Sequence, residues 1–287
     1  MSDHTPAAPT GSASTAAVAK TIAFIGGGNM ASAIIGGLIR QGMRPIDIMV
    51  VEPLEAQQAK LKQDFGIEAF NAPNAMLKQA GMVVWAIKPQ TFKVAANQAR
   101  AHTAQALHFS VAAGIRSDTI AQWLGTERVV RSMPNTPALI GKGMTALYPR
   151  PAVTAQDRSA VERVIGTTGE YLWLGEEAQI DAVTALSGSG PAYVFYFIET
   201  MVQAGVDMGL PPAQAAQLAY ATFCGASELA RSSDEPPKLL RERVTSKGGT
   251  TYAALTSMEQ DNVATLFARA MHAARRRAKE LGDEFGG

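Results

Sequence analysis

The chain has 287 residues, more than one compact domain usually contains, and 47% of them are hydrophobic, which is typical of a globular protein. The 26 basic and 25 acidic side chains give a net charge of +1, which excludes a protein built to bind nucleic acid or an anionic membrane. The single cysteine, Cys224, excludes an intramolecular disulfide, and the histidines at 4, 102, 108 and 272 lack zinc-site spacing. We therefore expect a reducing compartment and no metal.

Residues 1–19 are rich in Ala, Ser, Thr, Pro and Gly and contain almost no large side chains. Such a composition buries too little apolar surface to offset the entropy of ordering, so we expect a disordered tail. The tail has neither the apolar stretch of a secretory signal nor the arginines of a transit peptide. No later window has the ~20 apolar residues of a membrane span, and we expect a cytoplasmic protein.

Short apolar runs alternate with helical patterns through the first half of the chain. The predicted strands are residues 21–25, 47–51, 81–87 and 107–112, with helices predicted at 29–41 and 54–65. This alternation favours parallel pairing with right-handed crossovers. Further runs at 128–132, 144–148 and 171–174 can complete the sheet. We predict an α/β Rossmann-type doubly wound parallel sheet domain over residues 20–178.

The pattern changes after residue 180, where alanine- and leucine-rich helical stretches replace the strand-like runs. Helices are predicted at 180–208, 212–232 and 251–281, with a proline-bearing loop at 232–237. Residues 193–197 are apolar around the whole helix, which favours burial against a second subunit. We therefore predict an all-α dimerisation and substrate domain over residues 179–287.

A glycine fingerprint, Gly26-x-Gly28-x-x-Ala31, follows the first predicted strand and opens a helix at Asn29. In this context Gly26 permits a tight turn, Gly28 leaves room for a pyrophosphate, and Ala31 lets helix and strand pack closely. The phosphates would lie at the positive end of the helix. A plain glycine turn is the alternative interpretation.

Glu52 ends the second predicted strand, about twenty positions after the fingerprint, where a carboxylate commonly binds the adenosine ribose hydroxyls. The alternative is a solvated carboxylate with no ligand. A carboxylate here would repel the extra phosphate of NADP, and no arginine follows before Arg100 to compensate. The residues alone therefore favour NADH.

A second glycine-rich segment, Val-Thr-Ser-Lys-Gly-Gly-Thr-Thr at residues 244–251, stands directly before a long predicted helix. Consecutive backbone N–H groups in such a turn form a concave anion site, which the helix dipole reinforces. A small carboxylate fits this site. The alternative is an ordinary N-cap, for which Ser and Thr are common.

The sequence around this segment resembles the pyrroline-5-carboxylate reductase family, whose signature it matches over residues 237–259. Other family-like segments follow the family's order over nearly everything after the tail. They are Gly-Gly-Gly-Asn-Met-Ala at 26–31, Ala-Ile-Lys-Pro-Gln at 86–90, Ser-Val-Ala-Ala-Gly at 110–114, Arg-Ser-Met-Pro-Asn-Thr-Pro at 131–137 and Leu-Ser-Gly-Ser-Gly-Pro-Ala-Tyr at 186–193.

The resemblance implies reduction of 1-pyrroline-5-carboxylate to L-proline, the last step of proline biosynthesis, by a Rossmann domain joined to a helical domain that dimerises. Family members use NADPH or NADH and often form rings of dimers. The resemblance implies that Ser246, Gly248, Gly249 and Thr250 hold the substrate carboxylate, and that the Thr251 hydroxyl faces the ring nitrogen as the catalytic group. The implied cofactor-binding residues are Gly26, Gly28, Asn29, Met30, Glu52, Asn74, Ala86, Lys88, Pro89, Ala112, Ala113 and Gly114.

The sequence departs from the family pattern at two positions. Lys247 stands where members commonly have proline, which predicts a less rigid loop or an extra charge near the anion site. Glu52 stands where many members have small, polar or basic residues that tolerate NADPH.

Two other functions fit parts of the sequence. The β-hydroxyacid dehydrogenases also join a Rossmann domain to a helical one, but their chemistry needs a lysine after a glycine-rich segment, and Gly190 is followed by Pro-Ala-Tyr-Val-Phe-Tyr-Phe. A catalytically silent dinucleotide-binding protein would fit the glycine fingerprint equally well. The intact segment at 246–251 argues against such a protein.

Overall fold

The computed structural model describes residues 21–285. The expected disordered tail at 1–19 lies outside the described residues. In the described part a sheet domain with helices on both faces precedes a helical domain, as predicted.

The sheet has seven strands in the order β2-β1-β3-β4-β5-β6-β7. The strands are β1 Ile22–Ile25, β2 Ile48–Val51, β3 Met82–Trp85, β4 Leu107–Ser110, β5 Val129–Met133, β6 Gly143–Pro149 and β7 Gly169–Trp173. The first five strands are parallel, so the ends of β1 to β4 meet at one edge of the sheet, which we call the carboxyl edge.

The expectation of uniform parallel pairing is wrong for β6, which runs antiparallel to β5. The connection between these strands is only a short 3-10 turn, Thr136–Ile140. A parallel partner needs a crossover of about a dozen residues or more, so this short connection forces the chain to return in the opposite direction.

Five helices cover the sheet: α1 Asn29–Arg40, α2 Glu55–Phe65, α3 Pro89–Thr103, α4 Ser117–Leu124 and α5 Ala155–Ile165. Because successive strand residues face opposite sides, Phe24 belongs to the core on one face and Ile25 to the core on the other. Trp85 is fully buried on the second face, where it stacks on Phe92 of α3 at a ring distance of 4.7 Å.

The helical domain consists of α6 Gln179–Val183, α7 Gly190–Asp207, α8 Pro212–Ser232, α9 Pro237–Arg243, α10 Thr250–Gln260 and α11 Val263–Phe285. The helix predicted at 180–208 is interrupted by a π-helical turn, Thr184–Gly188. The helix predicted at 251–281 is two helices, because Asn262 adopts a left-handed conformation with φ of 55° and redirects the chain.

The helices of this second domain leave many large apolar side chains exposed. On α7, Phe195 and Tyr196 are 63% and 66% exposed, whereas Tyr193 packs edge-on against Phe267 of α11. Exposed apolar surface of this kind marks a binding surface. Among residues 21–285, no helix combines the length and the hydropathy that crossing a bilayer requires.

Candidate active site

The glycine turn passes closely between two strand ends at the carboxyl edge. Gly26 has a φ of +95°, and a Cβ on it would lie 2.5 Å from the carbonyl oxygen of Ala86. Its N–H donates to the carbonyl of Val51 at 2.8 Å. Position 26 therefore accepts only glycine, both for its backbone conformation and for its space.

Gly28 differs from Gly26 because the space beside it is open. A Cβ on Gly28 would contact nothing within 4 Å, and its backbone dihedral angles are ones any residue adopts. Gly28 precedes α1, and no side chain caps this helix start. The free N–H groups at Asn29 and Met30 therefore face open space at the positive end of a helix, which fits a pyrophosphate.

Glu52 is 7% exposed, so its interpretation as a solvated carboxylate is wrong. One carboxylate oxygen accepts a hydrogen bond from the Gly27 N–H at 2.9 Å, and the other accepts one from the Leu54 N–H at 2.9 Å. Each oxygen has a second lone pair. The carboxylate can therefore hold the glycine turn and still accept a ribose hydroxyl.

The other predicted cofactor residues follow two adjacent strands. Ala86, Lys88 and Pro89 come after β3, and Ala112, Ala113 and Gly114 come after β4. Because Trp85 and Ser110 are partners in the parallel ladder, these two segments leave the sheet side by side. Gly114 has a φ of +76°, so this turn also needs glycine.

Asn74 is the exception among the predicted cofactor residues, since its side chain already serves its own turn. Its Oδ1 accepts a hydrogen bond from the Met76 N–H at 2.9 Å and caps the 3-10 turn Ala75–Gln79. This capping contact is a local structural role.

The second glycine-rich segment, residues 244–251, runs from the end of α9 into the start of α10. We call it the substrate segment, after its predicted role. Gly248 has a φ of +73°, and a Cβ on Gly249 would lie 2.7 Å from the Ser246 hydroxyl oxygen. The helix start at Thr250 has no side-chain cap, so the N-cap alternative does not describe this segment. Ser246 and Thr250 are exposed, and Thr251 is half-buried. The segment thus offers hydroxyls and free N–H groups around one open helix start.

The fold brings the cofactor residues from β1, β3 and β4 to one edge, but it does not join the substrate segment to them by hydrogen bonds. Within the described chain, the hydrogen bonds of residues 245–249 stay inside the segment or reach the adjoining helices α9 and α10. They are Gly249 N–H to Ser246 O at 3.0 Å, Thr245 N–H to Glu242 O at 3.1 Å, the Thr245 hydroxyl to Arg241 O at 2.6 Å and Ala253 N–H to Gly249 O at 3.1 Å.

Asn135 is a feature to which the sequence analysis gave no role. Its amide nitrogen donates to the Ser187 carbonyl and hydroxyl at 3.3 and 3.2 Å, and its Oδ1 accepts from the Met144 N–H at 2.9 Å. Asn135 thereby ties the sheet to the π-helical turn, a conformation that often occurs at functional sites. The family-like segments at 131–137 and 186–193 were the available signal for this contact.

Comparisons with known proteins agree with this division into two parts. A family model described as pyrroline-5-carboxylate reductase dimerisation matches residues 177–281, and one described as NADP oxidoreductase, coenzyme F420-dependent, matches residues 21–114. The solved structure of a pyrroline-5-carboxylate reductase from Coxiella burnetii has a TM-score of 0.85 and 35% identity, covering 92% of this chain and 99% of that chain.

A second solved structure, Plasmodium falciparum pyrroline carboxylate reductase with NADP bound, has a TM-score of 0.83 and 26% identity, covering 92% of this chain and 98% of that chain. The pyrroline-5-carboxylate reductase of Escherichia coli is 37% identical over 265 residues, 91% of this chain and 98% of the relative. That of Pseudomonas aeruginosa is 42% identical over 267 residues, 92% of this chain and 98% of the relative. With this identity over nearly its whole length, the chain belongs to the pyrroline-5-carboxylate reductase family.

Proposed function

We propose that this protein reduces 1-pyrroline-5-carboxylate to L-proline with NAD(P)H, the final step of proline biosynthesis. The observation that carries the proposal is the pair of uncapped helix starts, one at Gly28 and one at Gly249, each preceded by a glycine turn. The first suits a dinucleotide pyrophosphate and the second suits a small carboxylate.

The cofactor, when bound, supplies the hydride for the imine carbon. The residues of this chain lower the barrier mainly by holding the substrate and the cofactor in the right orientation, because a protonated imine is already electrophilic. The Ser246 hydroxyl and the N–H groups of Gly248 and Thr250 hold the substrate carboxylate, and Gly249, whose N–H donates to the Ser246 carbonyl at 3.0 Å, shapes the turn. The Thr251 hydroxyl donates a hydrogen bond to the ring nitrogen as that nitrogen gains a lone pair.

The two parts of the pocket come together when two copies associate. This step is supported by the exposed substrate segment and by exposed apolar side chains beside it, such as Val244 just after α9 at 66% and Tyr252 on α10 at 49%. The match to a dimerisation model over residues 177–281 supports this association. A ring of dimers is our proposal for the full assembly, and light scattering of the purified protein tests it.

We also propose a preference for NADH over NADPH. Glu52 supports it, since a buried carboxylate beside the glycine turn raises the free energy of a nearby 2′-phosphate. NADPH is the alternative, since the Plasmodium relative was solved with NADP bound.

We propose the cytoplasm as the compartment, in keeping with the single cysteine, and cell fractionation tests this.

The test is an absorbance assay at the reduced nicotinamide band with 1-pyrroline-5-carboxylate, together with detection of proline. Loss of absorbance matched by proline supports the proposal. A silent dinucleotide-binding protein would bind cofactor without turnover. A β-hydroxyacid dehydrogenase would instead oxidise a hydroxy acid, but α7 contains no lysine to accept the proton.

A further inference from the structure

The last turn of α11 packs directly on the turn at residues 111–116, which follows β4. A Cβ on Gly114 would lie 3.3 Å from Leu281 Cβ and 3.4 Å from the ring of Phe285. Two apolar side chains from the far end of the helical domain therefore fill the space beside Gly114.

Two further contacts fix the same helix end. Arg116 forms an ion pair with Asp283. Gly282 is buried beneath the Arg116 side chain, and a Cβ added to Gly282 would lie only 3.1 Å from Arg116 Nε. Phe285 also packs against the sheet-domain core that contains Ala112 and Ile115. The helix end thus has both apolar and charged contacts with this turn.

The turn is held from its other side by Glu177, just before α6. Glu177 accepts hydrogen bonds from the Ser117 N–H at 2.7 Å and from the Ser117 hydroxyl at 2.6 Å, and it pairs with the buried Arg131 at 2.8 Å. The end of α11 and the segment just before α6 therefore contact residues 112–117 from two sides. Between them, Ala113 stays exposed.

We propose that Phe285 is a positioning residue for the cofactor: its ring holds the turn at 112–114 in the conformation that receives the nicotinamide half. The inference rests on the proposed function, which places Ala112, Ala113 and Gly114 at the nicotinamide end. Gly114 needs outside support because its left-handed conformation is one of several open to glycine. Loss of the ring lowers the fraction of molecules with the competent turn, which weakens binding of the half that uses it.

The test compares ligands that share the adenosine half. Dissociation constants for NADH, NADPH and ADP-ribose are measured by calorimetry on the full-length protein, with Phe285→Ala, Phe285→Tyr and Glu284→Ala. Glu284 is an exposed neighbour on the same turn of helix and pairs with Arg277, so it is the matched control. Thermal unfolding of each variant is recorded in parallel.

We expect Phe285→Ala to weaken binding of the preferred reduced cofactor about fivefold or more while ADP-ribose binding stays within about twofold of the wild type. Phe285→Tyr restores cofactor binding, and Glu284→Ala leaves all constants unchanged. Equal weakening of ADP-ribose, or no weakening of either reduced cofactor, overturns the proposal.

If Phe285→Ala does not fold, Leu281→Ala makes the same comparison, and unfolding of both variants contradicts a positioning role. The dissociation constants of the cofactors are measured without the pyrroline substrate, so they do not depend on turnover. Failure of the proposed reduction is seen separately, as cofactor binding without turnover in the wild type.

Discussion

The Glu52 carboxylate accepts a hydrogen bond from the Gly27 N–H at 2.9 Å, so the end of β2 is tied to the glycine turn after β1. This contact gives one buried charge two roles. It fixes the glycine turn, and in the proposed function it also places a negative charge near the 2′-position of the cofactor ribose.

Replacing Glu52 with serine should shift cofactor preference toward NADPH. We expect the ratio of kcat/KM for NADPH to that for NADH to rise about tenfold, because the repulsion of the 2′-phosphate is removed. The same change leaves the buried Gly27 N–H and the partly buried Leu54 N–H without their acceptor, and we expect a loss of about 1–3 kcal/mol in the free energy of unfolding. Steady-state kinetics and urea unfolding measure the two effects, and a wild type that already prefers NADPH by a wide margin contradicts this role for Glu52.

The glycines of the fingerprint should respond differently to the same substitution. Gly28→Ala should fold with nearly unchanged stability, because its Cβ contacts no atom within 4 Å, yet it should weaken cofactor binding by filling the pyrophosphate space. Gly26→Ala should lower the melting temperature, because its Cβ lies 2.5 Å from the Ala86 carbonyl oxygen. Melting curves and cofactor titrations separate the pair, and unimpaired cofactor binding by Gly28→Ala would remove the pyrophosphate from this turn.

Thr251 should make a modest catalytic contribution. Thr251→Ala should lower kcat about tenfold with little change in substrate KM, because the hydroxyl acts on the ring nitrogen while the carboxylate is held elsewhere. Thr251→Ser keeps the hydroxyl and is the control that should retain most of the turnover. Full turnover by the alanine variant would remove Thr251 from the mechanism.

The buried pair of Trp85 and His108 should make stability depend on pH. The indole N–H donates to His108 Nδ1 at 3.0 Å, and burial lowers the pKa of His108 from 6.5 to about 4. Below pH 6.5 the His108 imidazole binds a proton in the unfolded chain but not in the folded chain. The free energy of unfolding therefore falls as the pH drops from 6.5 to about 4.

The expected loss over this range is up to about 3 kcal/mol, since each pKa unit corresponds to about 1.4 kcal/mol. His108→Asn keeps an acceptor for the indole but has no proton to gain. Urea unfolding of both proteins between these pH values measures the difference, and equal slopes for wild type and variant would exclude His108 as the source.

The sequence predicts the parallel half of the sheet well, because strand and helix periodicities alternate there and Gly26 and Gly28 stand at the turn. It does not predict the antiparallel β6, whose direction depends on the short connection Thr136–Ile140. Neither does the single helix predicted at 251–281 include the break at Asn262, which follows three other polar residues at 259–261. Both outcomes depend on local backbone conformation, which hydrophobic periodicity does not report.

The candidate site likewise has features that the sequence predicts and features that it does not. The glycines at the two helix starts are visible in the sequence because consecutive glycines stand directly before a helical pattern at 26–28 and at 248–249. The burial of Glu52 and the contact between Asn135 and Ser187 depend on how distant segments pack, so no local pattern predicts them. The contact of Phe285 with Gly114 joins the two ends of the fold and is of the same kind.

The most direct test of the reductase assignment is isotope transfer. The wild-type protein is incubated with 1-pyrroline-5-carboxylate and nicotinamide cofactor carrying deuterium on the transferred position, and the product is analysed by mass spectrometry and NMR. Hydride transfer to the imine carbon predicts L-proline with one deuterium at C5 for each cofactor oxidised. Proline without the label, or cofactor that stays reduced in the presence of the imine, would contradict it.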